Sequence, residues 1–123
     1  MKRTATSRLV MKYRLGSGGS RCPICNKLLG DYGFDLHEAL FTRGDLSGVE
    51  WQDEIFHQYN CVGVCTKGCH LEATSDKGQV DCAKSLIKMH GYKPILEWID
   101  TLPFKSSTTK TVAQSVLLEA QNG

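Results

Sequence analysis

The sequence predicts a small α+β domain folded around a bound metal. Three observations carry this: two short segments that read as strands, two close pairs of cysteines, and helical apolar spacing in the last third of the chain. The 123 residues suit one domain, and 41% hydrophobic with 23% charged residues is an ordinary globular composition. Three regions are expected. Residues 1–20 form a basic flexible arm, residues 21–104 a zinc-stapled folded domain, and residues 105–123 a polar tail able to carry only a weak helix. A core of roughly 80 residues is small enough to gain much from a staple.

The arm comes first. Residues 1–30 hold Lys2, Arg3, Arg8, Lys12, Arg14, Arg21 and Lys27, and no acid precedes Asp31. Net charge is only +2, so this cluster is local. It suits a phosphate backbone, and a solubilising tail is the plainer reading. Met11 to Leu15 can form a turn of helix or a short strand, and Gly16-Ser17-Gly18-Gly19-Ser20 is a linker by composition.

Cys22-Pro23-Ile24-Cys25 then reads as a tight knuckle leading into a short strand. Phe34-Asp35-Leu36-His37 can alternate, with Phe34 and Leu36 on one side and Asp35 and His37 on the other. Phe41 to Asp53 is rich in Gly, Asp and Ser and reads as a loop. Tyr59 to Cys65 is a short buried strand, and Cys65 to His70 a second knuckle. Val80, Ala83, Leu86, Ile87 and His90 mark a helix stopped by Gly91. Pro94 opens the next helix, Ile95 to Leu102, which Pro103 ends. Beyond it, Thr111 to Ala120 would place Val112, Val116 and Ala120 on one face.

The cysteines are the most specific signal. Cys22-x2-Cys25 and Cys65-x3-Cys69 are two chelating pairs with 39 residues between them. Four such sulfurs make a tetrahedral structural zinc site. A redox Cys-x-x-Cys would need a strand–helix context that is missing here. His70 could replace Cys69 as the fourth ligand, since zinc takes either type. Cys61 and Cys82 fall outside the pairs and read as small apolar residues. No apolar run is long enough to span a membrane, and the first residues lack the apolar stretch of a secretory leader. A cytoplasmic location is therefore expected, where thiols stay reduced.

A second set of residues runs Asp35-Leu36-His37-Glu38, then Asn60-Cys61-Val62-Gly63-Val64-Cys65, then Cys69-His70. This order of an acid and a histidine on a strand, an asparagine before a second strand, and a histidine opening a helix resembles the ββα-metal (HNH) nucleases. Small members of that family, many phage-encoded, carry an Asn-x4-Cys-x2-Cys-His run; here it is Asn60-x4-Cys65-x3-Cys69-His70, one residue longer. Phe56-His57-Gln58-Tyr59 and the downstream Gly91-Tyr92, Glu97-Trp98-Ile99 and Leu102 are also similar, so the likeness covers about residues 21–104.

The resemblance implies a metal-dependent endonuclease that hydrolyses phosphodiester bonds of DNA. It implies a structural zinc and a second, catalytic divalent ion, Mg2+ or another. His37 would be the general base, Asn60 would fix the backbone that positions it, and Asp35 with His70 would hold the ion. Another alignment puts His37 in the ligand slot and Glu38 where the base should be, and His57 could serve as a substitute base. A further histidine found one turn after the last in some relatives is Thr74 here. Residue types fit: a neutral imidazole is a base near pH 7, and an Asp–His pair accepts Mg, Mn or a transition ion.

No recognition helix carries clustered Arg and Asn, so the arm and Arg43 would contact phosphates with little sequence preference. Duplex or branched DNA nicked one strand at a time is the expected substrate, and a double-strand cut would need a homodimer or two visits. A phage-encoded chain would work in the host cytoplasm, with no membrane partner. The alternative is a non-catalytic zinc-knuckle module that binds nucleic acid. A third reading is an adaptor docking through Trp98 and the C-terminal helices, although such stripes are usually core.

Overall fold

The computed structural model describes residues 11, 13–15, 20–29, 34–47, 52–66 and 68–123. Residues 1–10 and 16–19, where most of the basic arm and its linker fall, lie outside these, as do Asp31 and Lys12. Met11, Tyr13, Arg14 and Leu15 are helical, and Met11 and Leu15 are buried with the core.

The fold is mixed α+β, with a two-stranded antiparallel sheet and several helices. Strand β1 (Asp35–Glu38) pairs with β2 (Cys61–Val64) in the register Asp35 to Val64, Leu36 to Gly63, His37 to Val62 and Glu38 to Cys61. Between them lie a 3-10 turn, Arg43–Asp45, and a short helix α1, Gln52–Ile55. The stretch expected as plain loop is thus partly ordered. Its first turn is held by the Asp45 carboxylate, which accepts from the Thr42 N–H at 2.8 Å. After β2 come α2 (Cys69–Glu72), α3 (Asp76–His90), α4 (Tyr92–Asp100) and α5 (Ser107–Asn122).

The sheet alternates as the sequence suggested. A side chain at Gly63 would meet Leu29 and Phe34, so the face shared by Leu36 and Gly63 is filled by those two residues. Asp35 and His37 take the opposite face. Both faces of the sheet are therefore covered: Val62 and Val64, paired with His37 and Asp35, are 1% and 0% exposed, and Asp35 reaches solvent at the start of β1.

Helix α3 begins four residues before the expected Val80. Ser75 caps it, its hydroxyl accepting from the Gly78 N–H at 3.1 Å, and Asp76 lies in the first turn, where an anion is favoured. Gly91 ends it at φ 92°, with its N–H bonded to Ile87 O at 2.8 Å. That left-handed φ suits glycine and lets α4 start at once. Helix α4 begins at Tyr92, three residues before the expected start, and holds Pro94 in its first turn.

Helix α5 packs against α3 and α4. It is longer than the expected Thr111–Ala120, and its buried face is Ala113, Leu117 and Ala120. Val112 is 54% exposed. The polar start conceals a full amphipathic helix because Ser106 caps it, accepting from the Thr109 N–H at 3.2 Å. The loop after β1 is tied to the α4–α5 connection: Leu46 bridges Phe104, Ser47 N–H bonds Pro103 O at 2.8 Å, and Lys105 N–H bonds Asp45 O at 2.9 Å.

Gly78 yields a test of how closely α2 and α3 approach. A methyl group there would run into the backbone of Glu72 and Ala73. Helix propensity alone favours Gly78→Ala by about 1 kcal/mol. Overpacking against rigid backbone costs roughly 1–3 kcal/mol, so a net loss of stability is expected in urea unfolding. A Gly78→Ala chain more stable than wild type would refute this close packing.

Candidate functional site

Each cysteine pair sits on a tight turn. Cys22 and Cys25 lie in a loop closed by the Arg21–Leu28 bridge and by two backbone bonds, Cys22 N–H to Lys27 O at 2.9 Å and Asn26 N–H to Cys22 O at 2.8 Å. Asn26 reverses the chain at φ 66°, a conformation asparagine tolerates. Cys65 follows β2 directly, and Cys69 is the first residue of α2. Gly68, the residue before Cys69, turns the chain at φ 86°.

These turns bring the Sγ atoms of Cys22, Cys25, Cys65 and Cys69 within 4.8 Å of one another. Cys25 and Cys65 are 3.2 Å apart, too far for a disulfide, and all six cysteines are free thiols. Zinc–sulfur bonds of about 2.3 Å place tetrahedral sulfurs about 3.8 Å apart, between the 3.2 Å of the Cys25–Cys65 pair and the 4.8 Å bound on the whole set. The electrostatics agree. The backbone N–H of Lys27, chiefly, lowers the Cys25 thiol to about 7. Its hydrogen bond with Cys25 raises Cys65 to about 11, and burial, then Cys25, raises Cys69 to about 12. Four adjacent sulfurs cannot all ionise unaided, so the set is suited to a divalent cation. Cys69 rather than His70 completes the sulfur set. Cys61 and Cys82 are fully buried, and burial pushes both thiols up, Cys82 to about 12.

Asp35 and His70 meet outside the sulfurs. His70 Nδ1 is 3.3 Å from Asp35 Oδ2, and both side chains are nearly half exposed. The ring of His37 stands edge-on to His70, with centroids 5.4 Å apart. His37 is 8% exposed, and its Nε2 is buried without a hydrogen-bond partner. Burial, and then the charge of His70, lowers the His37 pKa from its usual 6.5. The ring is therefore neutral at pH 7. Glu38 lies one step along β1, paired in register with Cys61.

Asn60 is fully buried, and its amide joins three segments. Its Oδ1 accepts from the N–H groups of Leu40 (2.9 Å) and Phe41 (3.1 Å). Its Nδ2 donates to Phe41 O and Ile55 O, both at 2.9 Å. Its own carbonyl accepts from Ala39 N–H at 2.7 Å. The chain leaving β1 is thereby fixed to the start of β2. Nothing in the sequence named these partners, which are all main-chain groups. Replacing Asn60 with Ala takes a partner from four backbone groups, of which Leu40 N–H is only part-buried and Ile55 O still accepts from Cys61 Sγ at 3.3 Å, at about 1–3 kcal/mol for each buried group left unsatisfied. The total is moderated by relaxation, and a loss of roughly 3–5 kcal/mol is expected by urea denaturation. A loss below about 1 kcal/mol would contradict the network.

His57 lies in different company. It stacks on Trp98 at 4.5 Å and sits edge-on to Tyr59 at 4.8 Å, while its Nδ1 accepts from the Tyr59 N–H at 3.0 Å. None of its ring contacts is with Asp35, His37 or His70. Trp98 also meets Phe41 and Tyr59, so its face is taken up by packing within the chain.

No helix among the described residues is long and apolar enough to cross a membrane. No family model matches the chain, and no curated protein or solved structure matches it.

Proposed function

We propose that the chain is a metal-dependent endonuclease of the HNH type that nicks duplex or branched DNA. The observation that carries this reading is the meeting of Asp35, His70 and the neutral His37 on one face of the β1–β2 pair. Two antiparallel strands followed by a helix with His70 in its first turn is the order a ββα-metal motif requires. Asn60, bonded to the chain that leaves β1, supports the role of a backbone anchor for His37.

Asp35 and His70, 3.3 Å apart and nearly half exposed, would hold the divalent ion. Such an ion would supply charge neutralisation on the phosphate and the leaving oxygen. His37 accepts the proton of the attacking water. The water oxygen bonds to phosphorus, the bond to the leaving oxygen breaks, and that oxygen takes a proton from solvent. The Nε2 of His37 is buried without a hydrogen-bond partner, so the base role requires the ring to turn or its cover to open toward the water. Structural zinc on the four cysteines would hold His70, which follows Cys69 directly, in place.

A nucleic-acid-binding module without chemistry is the second reading. The Asp35–His70 contact is half exposed and would then be an ordinary surface ion pair. Plasmid nicking in Mg2+ or Mn2+, wild type against His37→Ala, separates the two.

A further inference from the structure

Beside the first knuckle lies a surface lined by neither Asp35 nor His70. There a cavity of about 660 Å³ opens between that knuckle and helix α3. Arg21 lines one wall, and Asp81, Lys84, Ser85, Lys88 and Met89 line the other. The α3 residues recur three and four apart and form one stripe along the helix, with Lys84, Lys88 and Met89 exposed and Asp81 and Ser85 half-buried. Asp81 is engaged by Lys77 at 2.9 Å. Lys84 and Lys88, one turn apart, have no acidic partner among the described residues. Like charges at this spacing repel each other unless an anion sits between them. Arg21 is held in place by its Nη1 donating to Asn26 O at 2.8 Å.

We propose that this groove binds the phosphate backbone of a nucleic acid. Three cations from two separate elements converge on one concave surface, and it is too large for a single small ion. A row of charges along a helix fits a regularly charged polymer, and the guanidinium fork of Arg21 suits phosphate oxygens. Met89, 40% exposed, offers apolar surface for a sugar or base. The groove deepens the nuclease reading, resting on it for the identity of the polymer. Its contacts flank the reacting phosphate and supply affinity without sequence preference.

The test is binding of a labelled DNA duplex to the zinc-loaded chain by fluorescence anisotropy, with no other divalent ion added. Three variants are compared: Lys84→Ala/Lys88→Ala, the same pair with Arg21→Ala, and a charge-matched Lys93→Ala/Lys105→Ala/Lys110→Ala control outside the groove. Zinc content checks that each is folded. The lysine pair should weaken binding more than about fivefold and lower the salt slope by about two, with the control inside fivefold. Equal losses in groove and control variants would reduce the effect to bulk charge and overturn the proposal. So would a lysine-pair variant within fivefold of wild type, or displacement of DNA by poly-glutamate of matched charge. Binding through the groove by a chain that never nicks DNA would sink the nuclease reading alone.

Discussion

Removing the metal from the four sulfurs will unfold the domain. Binding energies of structural zinc in small peptides run to about 10–16 kcal/mol, and whole domains are stable by about 5–15 kcal/mol. The site joins two turns 39 residues apart in sequence, so its loss frees a long loop and the strands at its ends. The purified chain should carry one zinc per molecule by elemental analysis. A strong chelator, or Cys65→Ser, should then abolish most helical circular dichroism at 37 °C. A metal-free chain that keeps its helices and its melting temperature would end the structural role of the cluster. Acid should act in the same direction, because protons compete with zinc for thiolates.

His37→Ala carries the second large effect. A positioned general base contributes about 10²–10⁴-fold, and that loss is expected in the rate of plasmid nicking. The side chain is not one of the four sulfur ligands, so zinc content should stay at the wild-type level. Asp35→Asn should lower the rate by weakening the hold on the divalent ion, and higher Mn2+ should recover part of it. This separates the two roles, because added metal cannot replace a base. Nicking by His37→Ala at the wild-type rate would remove His37 from the chemistry.

The elements legible in the sequence are those whose cause is local. The cysteine spacing is a local chelate geometry and led to a four-sulfur cluster. Gly91 stops a helix and Pro94 sits in the first turn of the next through their own backbone preferences, both as expected, although that helix starts earlier, at Tyr92. The alternation of Phe34, Asp35, Leu36 and His37 follows from strand geometry. The elements that escaped are set by distant partners. The buried face of α5 is chosen by where α3 and α4 lie, so Ala113 and Leu117 displace Val112 from it. The stacking of His57 on Trp98 joins residues 41 apart in sequence, which no local pattern reveals. The Asn60 network runs to main-chain groups, which carry no sequence signature. The meeting of Asp35 with His70 came from the order of a motif rather than from any property of either residue.

Cys69 and His70 are neighbours on one helical turn, one facing sulfur and the other a carboxylate. Length changes therefore have unequal consequences on the two sides of Cys69. An added residue upstream can be taken up at Gly68, whose backbone already turns left-handed there. One inserted between the two would swing the imidazole about 100° around the axis. Related chains should accordingly drift in the spacing before that cysteine and never in the step after it.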